Sequence, residues 1–234
     1  MWIDVLYIVE IFPKLIEPFF YTVSIVLASA GLSLLLCIPI TFFRINRLPV
    51  VSRLCDVWLS FIRSMPGILE LFVAYFVLPR VLKQVGINIS DWAGTAFVLI
   101  ALVFHYAPYL SEIFRPAYLS VEKGQHEAGA IVGMTGFQTL RRIILPQAIP
   151  VALPQLCSTL IDIVKDTSLL FTIGIVDLMG EAKLIITDNN GIGKMEAYIA
   201  VAVFYWVLTI AISKLFALWE KYYRKYKLSA AVKM

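Results

Sequence analysis

Charged side chains are scarce in this chain. They make up 15% of its 234 residues, where soluble domains carry about a quarter. With 60% of residues hydrophobic and a mean hydropathy of +0.84, the balance excludes an ordinary soluble domain and implies one integral membrane domain over residues 1–234. Cysteine is nearly absent: Cys37, Cys55 and Cys157 are scattered in or beside apolar runs. That pattern excludes a disulfide framework and a CxxC metal site, and leaves three small packing residues. HExxH and GxSxG are missing, and no helix face clusters His with carboxylates, so no catalytic or metal-binding residue is assigned. A phosphate cradle is missing too. The nearest stretch is GIGK, Gly191 to Lys194, but a P-loop needs glycine where Asp188 stands and Ser or Thr where Met195 stands. The opening stretch carries Asp4 and Glu10 where a secretory signal has positive charge, so it is read as part of the mature chain.

What is present is long apolar runs. A helix rising about 1.5 Å per residue needs roughly 20 apolar residues to cross a hydrocarbon core of about 30 Å. Five spans meet the requirement: 19–43, 57–79, 92–112, 153–175 and 197–218. The second contains Arg63 and Glu70, the fourth Asp162, Lys165 and Asp166, and the fifth Lys214. Cytoplasmic loops keep the Lys and Arg excess. With the N-terminus outside, twelve of these cations fall in cytoplasmic segments and five in outer ones, so the expected C-terminus is cytoplasmic. The tail from Trp219 to Lys227 interleaves Trp219, Tyr222, Tyr223 and Tyr226 with cations, which suits an anchor at the inner headgroups and gives no reason to expect nucleic acid.

One polar segment, within 120–148, interrupts this apolar chain and falls on the cytoplasmic side. Lys123 to Val132 reads as a helix, Gly133 fits the left-handed position that ends one, and Thr135 with Gln138 makes a capping box for the next. Pro146 is expected to stop that second helix. The pattern alone fits either an amphipathic hairpin lying on the membrane or a projection gripped by a cytoplasmic protein.

Spacing separates the two readings. Glu127, Ala128 and Gly129 are followed after three residues by Gly133, then after nine by Ile143, and after one more by Leu145 and Pro146. This resembles the signature loop of binding-protein-dependent ABC import permeases, with glycine where the third small residue is usually alanine, a mild departure. FIRSMPGILELFVAYFVLP (61–79), YLSEIFRPAYLSVEKGQHEA (109–128) and IVKDTSLLFTIGIVDL (163–178) extend the likeness to the polar amino acid permeases over nearly the whole chain. The resemblance implies an all-α, type I importer fold with five transmembrane helices and a cytoplasmic helix-turn-helix coupling loop. It implies a bacterial cytoplasmic membrane location and a second permease subunit, identical or related. An ATP-binding cassette ATPase subunit would bind ATP and Mg, leaving this chain without a cofactor. An extracytoplasmic binding protein would deliver the amino acid. The stretch ending the fourth span and running through GIVDLMGEAKLIIT is nearer to importers of cystine and related sulfur amino acids than to basic amino acid importers.

Ionisable groups at bilayer depth cost several kcal/mol and point to function. Asp162, Lys165 and Asp166 occupy neighbouring helical positions, and Asp162 is expected to meet a substrate ammonium. Lys165 and Asp166 either neutralise each other, lie near the headgroups, or line the pathway. Relatives place their substrate pocket at the positions of Ser158 and Thr159, and the lack of an acidic residue at Thr159 disfavours a cationic substrate. Arg63 and Glu70, seven apart, are expected to share a helical face, with Ser64, Met65 and Glu70 departing from the usual pattern. His105 and Pro108 also depart from it, and a lone histidine there reads as a hydrogen-bonded packing residue. The alternative function is an ion-coupled secondary amino acid transporter using these carboxylates as ion sites, against which stands the lack of an inverted repeat.

Overall fold

The chain is an all-helical bundle, described by a computed structural model over residues 3–231, with side chains through Tyr223. Arg224, Lys225, Tyr226 and Lys227 of the aromatic and basic tail thus lie outside the described side chains. α1 (Val5–Ile45) starts on Asp4, whose carboxylate accepts from the backbone N–H groups of Leu6 and Tyr7. It is much longer than the expected span over 19–43. Pro13, Pro18 and Pro39 lie inside it, and its 41 residues reach about 60 Å, twice the hydrocarbon thickness. The polar residues Glu10, Lys14 and Glu17 hide the early turns from a hydropathy reading.

The second span differs in kind. α2 (Pro49–Ser64) stops before Met65–Pro66, and the chain turns by 110° into Gly67–Gln84. Proline forces extended backbone on the residue before it, and Met65 obliges with φ −108° and ψ 132°. Beyond the bend, α3 (Gly67–Phe72), a π turn (Val73–Val77) and α4 (Leu78–Gln84) run toward the α5 start. Arg63 and Glu70 therefore share no helical face: the former is exposed and the latter buried.

α5 (Gly94–Leu119) is the central post, packed along α1 and against α8. α6 (Lys123–Ile131) and α7 (Gly136–Thr139) form the polar excursion. Pro146 does not end the second of these helices. A π turn over Leu140–Ile144 carries it into α8 (Leu145–Asp166), with Pro146 in the first turn after the π turn. With a 3-10 stretch over Thr167–Ile173, the helical run is unbroken across Gly136–Ile173. α9 (Leu178–Asp188), absent from the sequence reading, precedes α10 (Lys194–Ala231). Among the described residues, four helices are long and apolar enough to cross a membrane, and the bent pair makes up to five.

Four apolar clusters hold the bundle among the described residues, the smallest being Ile40, Cys55 and Ala107 where α1, α2 and α5 meet. Ile25, Val98, Leu102, Val164 and Leu170 centre the middle one. Leu15, Leu178, Ala182 and Val201 bind α9 into the end where α1 overhangs. Ala117, Val121, Ile144, Ala148 and Ala152 fix the polar excursion to the other end.

Candidate functional site

The excursion is an elbow made by local chemistry. Gly133 adopts φ +75°, its N–H bonds the Ala130 carbonyl at 3.0 Å, and the Met134 N–H bonds that of Gly129 at 3.0 Å. This pair of bonds is a Schellman motif, which needs a left-handed residue where it stands. Thr135 then starts α7 with the expected capping box: the Gln138 N–H reaches Thr135 Oγ1 at 3.2 Å and the Thr135 N–H reaches Gln138 Oε1 at 2.9 Å. The inside of the elbow is closed by Gly129 against buried Thr139. A β-carbon at Gly129 would lie 2.5 Å from Thr139 Oγ1 and 2.7 Å from its Cγ2. Glycine here is thus no mild departure; it is the residue that lets the two helices meet.

The outside of the elbow is apolar and uncovered. Ile131, Val132 and Phe137 are 85%, 67% and 70% exposed. Glu127 and Ala128 are exposed on the same projection, and Glu127 has no ionic or hydrogen-bonding side-chain partner among the described residues. Ile143 is half-buried against the cluster that fixes the elbow, while Leu145 and Pro146 are exposed where α8 begins. The signature residues therefore divide into Gly129, Gly133 and Ile143, which shape and seat the elbow, and Glu127, Ala128, Leu145 and Pro146, which lie on its surface.

Farther along α8, Ser158, Asp162 and Lys165 succeed one another at i, i+4 and i+7 and are all exposed, a polar stripe on a helix of bilayer length. Thr159 is off that stripe, buried, with its hydroxyl donating to the Gln155 carbonyl at 3.0 Å. Lys165 pairs with Asp162 at 3.2 Å and not with Asp166. Asp166 accepts from the Tyr106 hydroxyl at 2.6 Å. Glu70 meets His105 Nδ1 at 3.0 Å, and His105 stacks on Tyr109 with centroids 5.2 Å apart. The other carboxylate oxygen of Glu70 is buried with no hydrogen-bond partner. Glu70, His105 and Asp166 line one narrow cleft, so the structure brings Glu70 and Asp166 together. Arg63 lies apart, in a groove with Glu112, Val151 and Gln155.

Two polar nodes escaped the sequence reading. Arg44, counted there only as a topology signal, is buried and bonds Asp56 at 3.0 Å, Ser111 at 2.9 Å and Glu112 at 2.6 Å, joining α1, α2 and α5. Its position as the first cation after an apolar run was the only cue. Asp177, fully buried at the start of α9, accepts from the Gly180 N–H at 2.9 Å, and the adjacent Leu178 N–H donates to Thr22 of α1. Burial pushes the Asp177 carboxyl above its ordinary range, against the opposing effect of the hydrogen bonds it accepts.

Known proteins align with the chain over nearly its whole length. The family model for the binding-protein-dependent transport system inner membrane component matches residues 33–225. A probable amino-acid permease protein of Bacillus subtilis, YxeN, is 37% identical over 94% of this chain and 95% of its own. The L-cystine transport system permease protein TcyL of the same organism is 34% identical over 83% of this chain and 79% of its own. A crystal structure of an amino acid ABC transporter with histidines superposes with a TM-score of 0.78 at 28% identity, covering 94% of this chain and 99% of that one.

Proposed function

The chain belongs to the family of binding-protein-dependent transport system inner membrane components, and from that premise we propose that it carries a polar amino acid, cystine foremost, into the cell under power from a separate ATPase subunit. As an ABC importer permease it is a multi-pass transport subunit and not an enzyme. The ion-coupled alternative finds no support in this family.

The observation that carries the proposal is the uncovered elbow. Three large apolar side chains on a projection of only a few turns, beside an unpaired carboxylate, are costly to leave in water and suit a cleft on another protein. We assign that cleft to the ATPase subunit, which binds ATP and Mg. Docking there puts the elbow in the cytoplasm, in keeping with the Lys and Arg excess, an outward N-terminus and an inward C-terminus.

The polar stripe of α8 gives the second half of the argument. Exposed Ser158, Asp162 and Lys165 cannot face lipid without penalty, so a second permease subunit facing them would enclose a hydrated path. An exposed i,i+3 ion pair is worth at most about 1 kcal/mol. A zwitterion can therefore displace it, its ammonium taking Asp162 and its carboxylate Lys165. Glu70 and Asp166 line the neighbouring cleft, Arg63 stands toward the elbow end of the path, and Thr159 supports the stripe from within. A binding protein delivers the substrate at the end where α1 overhangs.

The test is reconstitution with the ATPase, the second permease and the binding protein in proteoliposomes. Cystine uptake that needs both ATP and binding protein is expected. Uptake without the ATPase refutes the energy source, and uptake of another polar amino acid with none of cystine refutes the substrate alone.

A further inference from the structure

At the elbow end of the bundle, Arg44, Arg47, Arg53 and Arg115 line one cleft with Asp56. Arg44 is spoken for by Asp56 and Glu112. The other three arginines have neither an ion pair nor a side-chain hydrogen bond among the described residues. Three uncompensated guanidinium groups around one polar recess repel each other unless an anion joins them. The start of α2 adds to the field: Pro49 lines the same cleft, Leu48 provides no side-chain cap, and the free N–H groups of a first turn favour negative charge. Arg47 reaches the cleft from a left-handed turn, φ +50°, unusual for a residue with a side chain.

What kind of anion fits is decided by the flanks. On α1, Leu35, Ile38 and Phe42 are exposed along one face; on α2, Val50, Leu54 and Val57 are exposed along another. These faces lie on the two helices that the arginine-bearing turn joins, so acyl chains packed along α1 and α2 would bring their headgroups to that turn. A free phosphate uses no apolar flank. We propose that this cleft holds the phosphate headgroup of an anionic phospholipid, with Arg47, Arg53 and Arg115 as its ligands, tying the α1–α2 turn to the membrane surface. The site is separate from the elbow and from the α8 stripe.

The experiment uses the assembled transporter in nanodiscs containing phosphatidylglycerol and phosphatidylcholine, with retained lipid read by native mass spectrometry after delipidation. Retention of phosphatidylglycerol over phosphatidylcholine is expected, unaffected by inorganic phosphate. The combined Arg47→Gln, Arg53→Gln, Arg115→Gln variant should lose affinity on the order of 100-fold. If that variant does not assemble, the single Arg47→Gln and Arg53→Gln variants at exposed positions should each weaken retention about fivefold. Equal retention by wild type and variants overturns the proposal, as does equal retention of both lipids. Displacement by inorganic phosphate would make it a free-anion site. A photo-crosslinker at position 53 that captures polypeptide and not lipid would put a protein there instead.

Discussion

Gly129→Ala should disable the elbow, and Thr139→Ala should restore it. The added methyl would lie 2.5 Å from Thr139 Oγ1, 2.7 Å from its Cγ2 and 3.1 Å from its Cβ. Thr139 is buried and short, so it has no flexible end to swing aside, and relief requires α6 and α7 to part. Overpacking of this kind costs about 1–3 kcal/mol, and about 2 kcal/mol shifts an equilibrium roughly 30-fold away from the docked shape. Removing the Thr139 hydroxyl and methyl leaves only the 3.1 Å contact, which a few tenths of an ångström relieve. Thr139→Ala alone loses little, since its side chain donates no hydrogen bond among the described residues. The assay is ATP-dependent uptake in proteoliposomes alongside co-purification of the ATPase. Both should fall in Gly129→Ala, stay near wild type in Thr139→Ala, and recover in the pair, with a coupling energy of about 1–2 kcal/mol. A Gly129→Ala variant that transports normally, or a pair no better than Gly129→Ala alone, refutes the close approach as the reason for glycine.

The β-carbon of Gly133→Val meets no atom within 4 Å, but the residue must hold φ +75°, which costs roughly 1–2 kcal/mol or more when it is β-branched. The protein should reach the membrane while uptake is lost, measured by membrane fractionation and transport, and normal uptake would count against the Schellman turn as part of coupling. Asp162→Asn should raise the half-saturating substrate concentration about tenfold or more while ATPase co-purification is unchanged; an unaltered value removes Asp162 from the path. Asp177, pushed up by burial, binds its proton more tightly folded than unfolded, so its contribution to stability is full below the ordinary carboxylate range and is lost as pH rises through the raised value. Glu181, also raised by burial, acts with the same sign, so melting in detergent should weaken across that window and Asp177→Asn should flatten the profile, which a pH series of thermal melts will read.

What could be read from the sequence was whatever short-range chemistry fixes. Gly133, Thr135 and Gln138 announce their turn and cap because those motifs act within a few residues, and the apolar runs announce spans because the bilayer imposes a length. Pro146 misled because the helix widens into a π turn just before it and continues past it, an accommodation visible only in the backbone. Arg63 and Glu70 were separated by Met65–Pro66, and there the cue was present, since the residue before a proline resists helix. The roles of Gly129 and Arg44 depend on partners 10 residues away in one case and 67 away in the other, the separations of Thr139 and Ser111. No periodicity reports such meetings. The polar stripe of α8 lay between these limits: the charges were evident, while the burial of Thr159 and the pairing of Lys165 with Asp162 needed coordinates.

Because helix runs unbroken from Gly136 past Asp166, the elbow and the Asp162–Lys165 pair are mounted on one stiff strut roughly 45 Å long. Its one loosened collar is the wide turn at Leu140–Ile144, close to the elbow. A tilt of about 5° imposed there would sweep the Asp166 end sideways by roughly 3 Å, about a third of the spacing of packed helices. A displacement of that size is enough to carry Asp162 and Lys165 into or out of hydrogen-bond reach of whatever faces them.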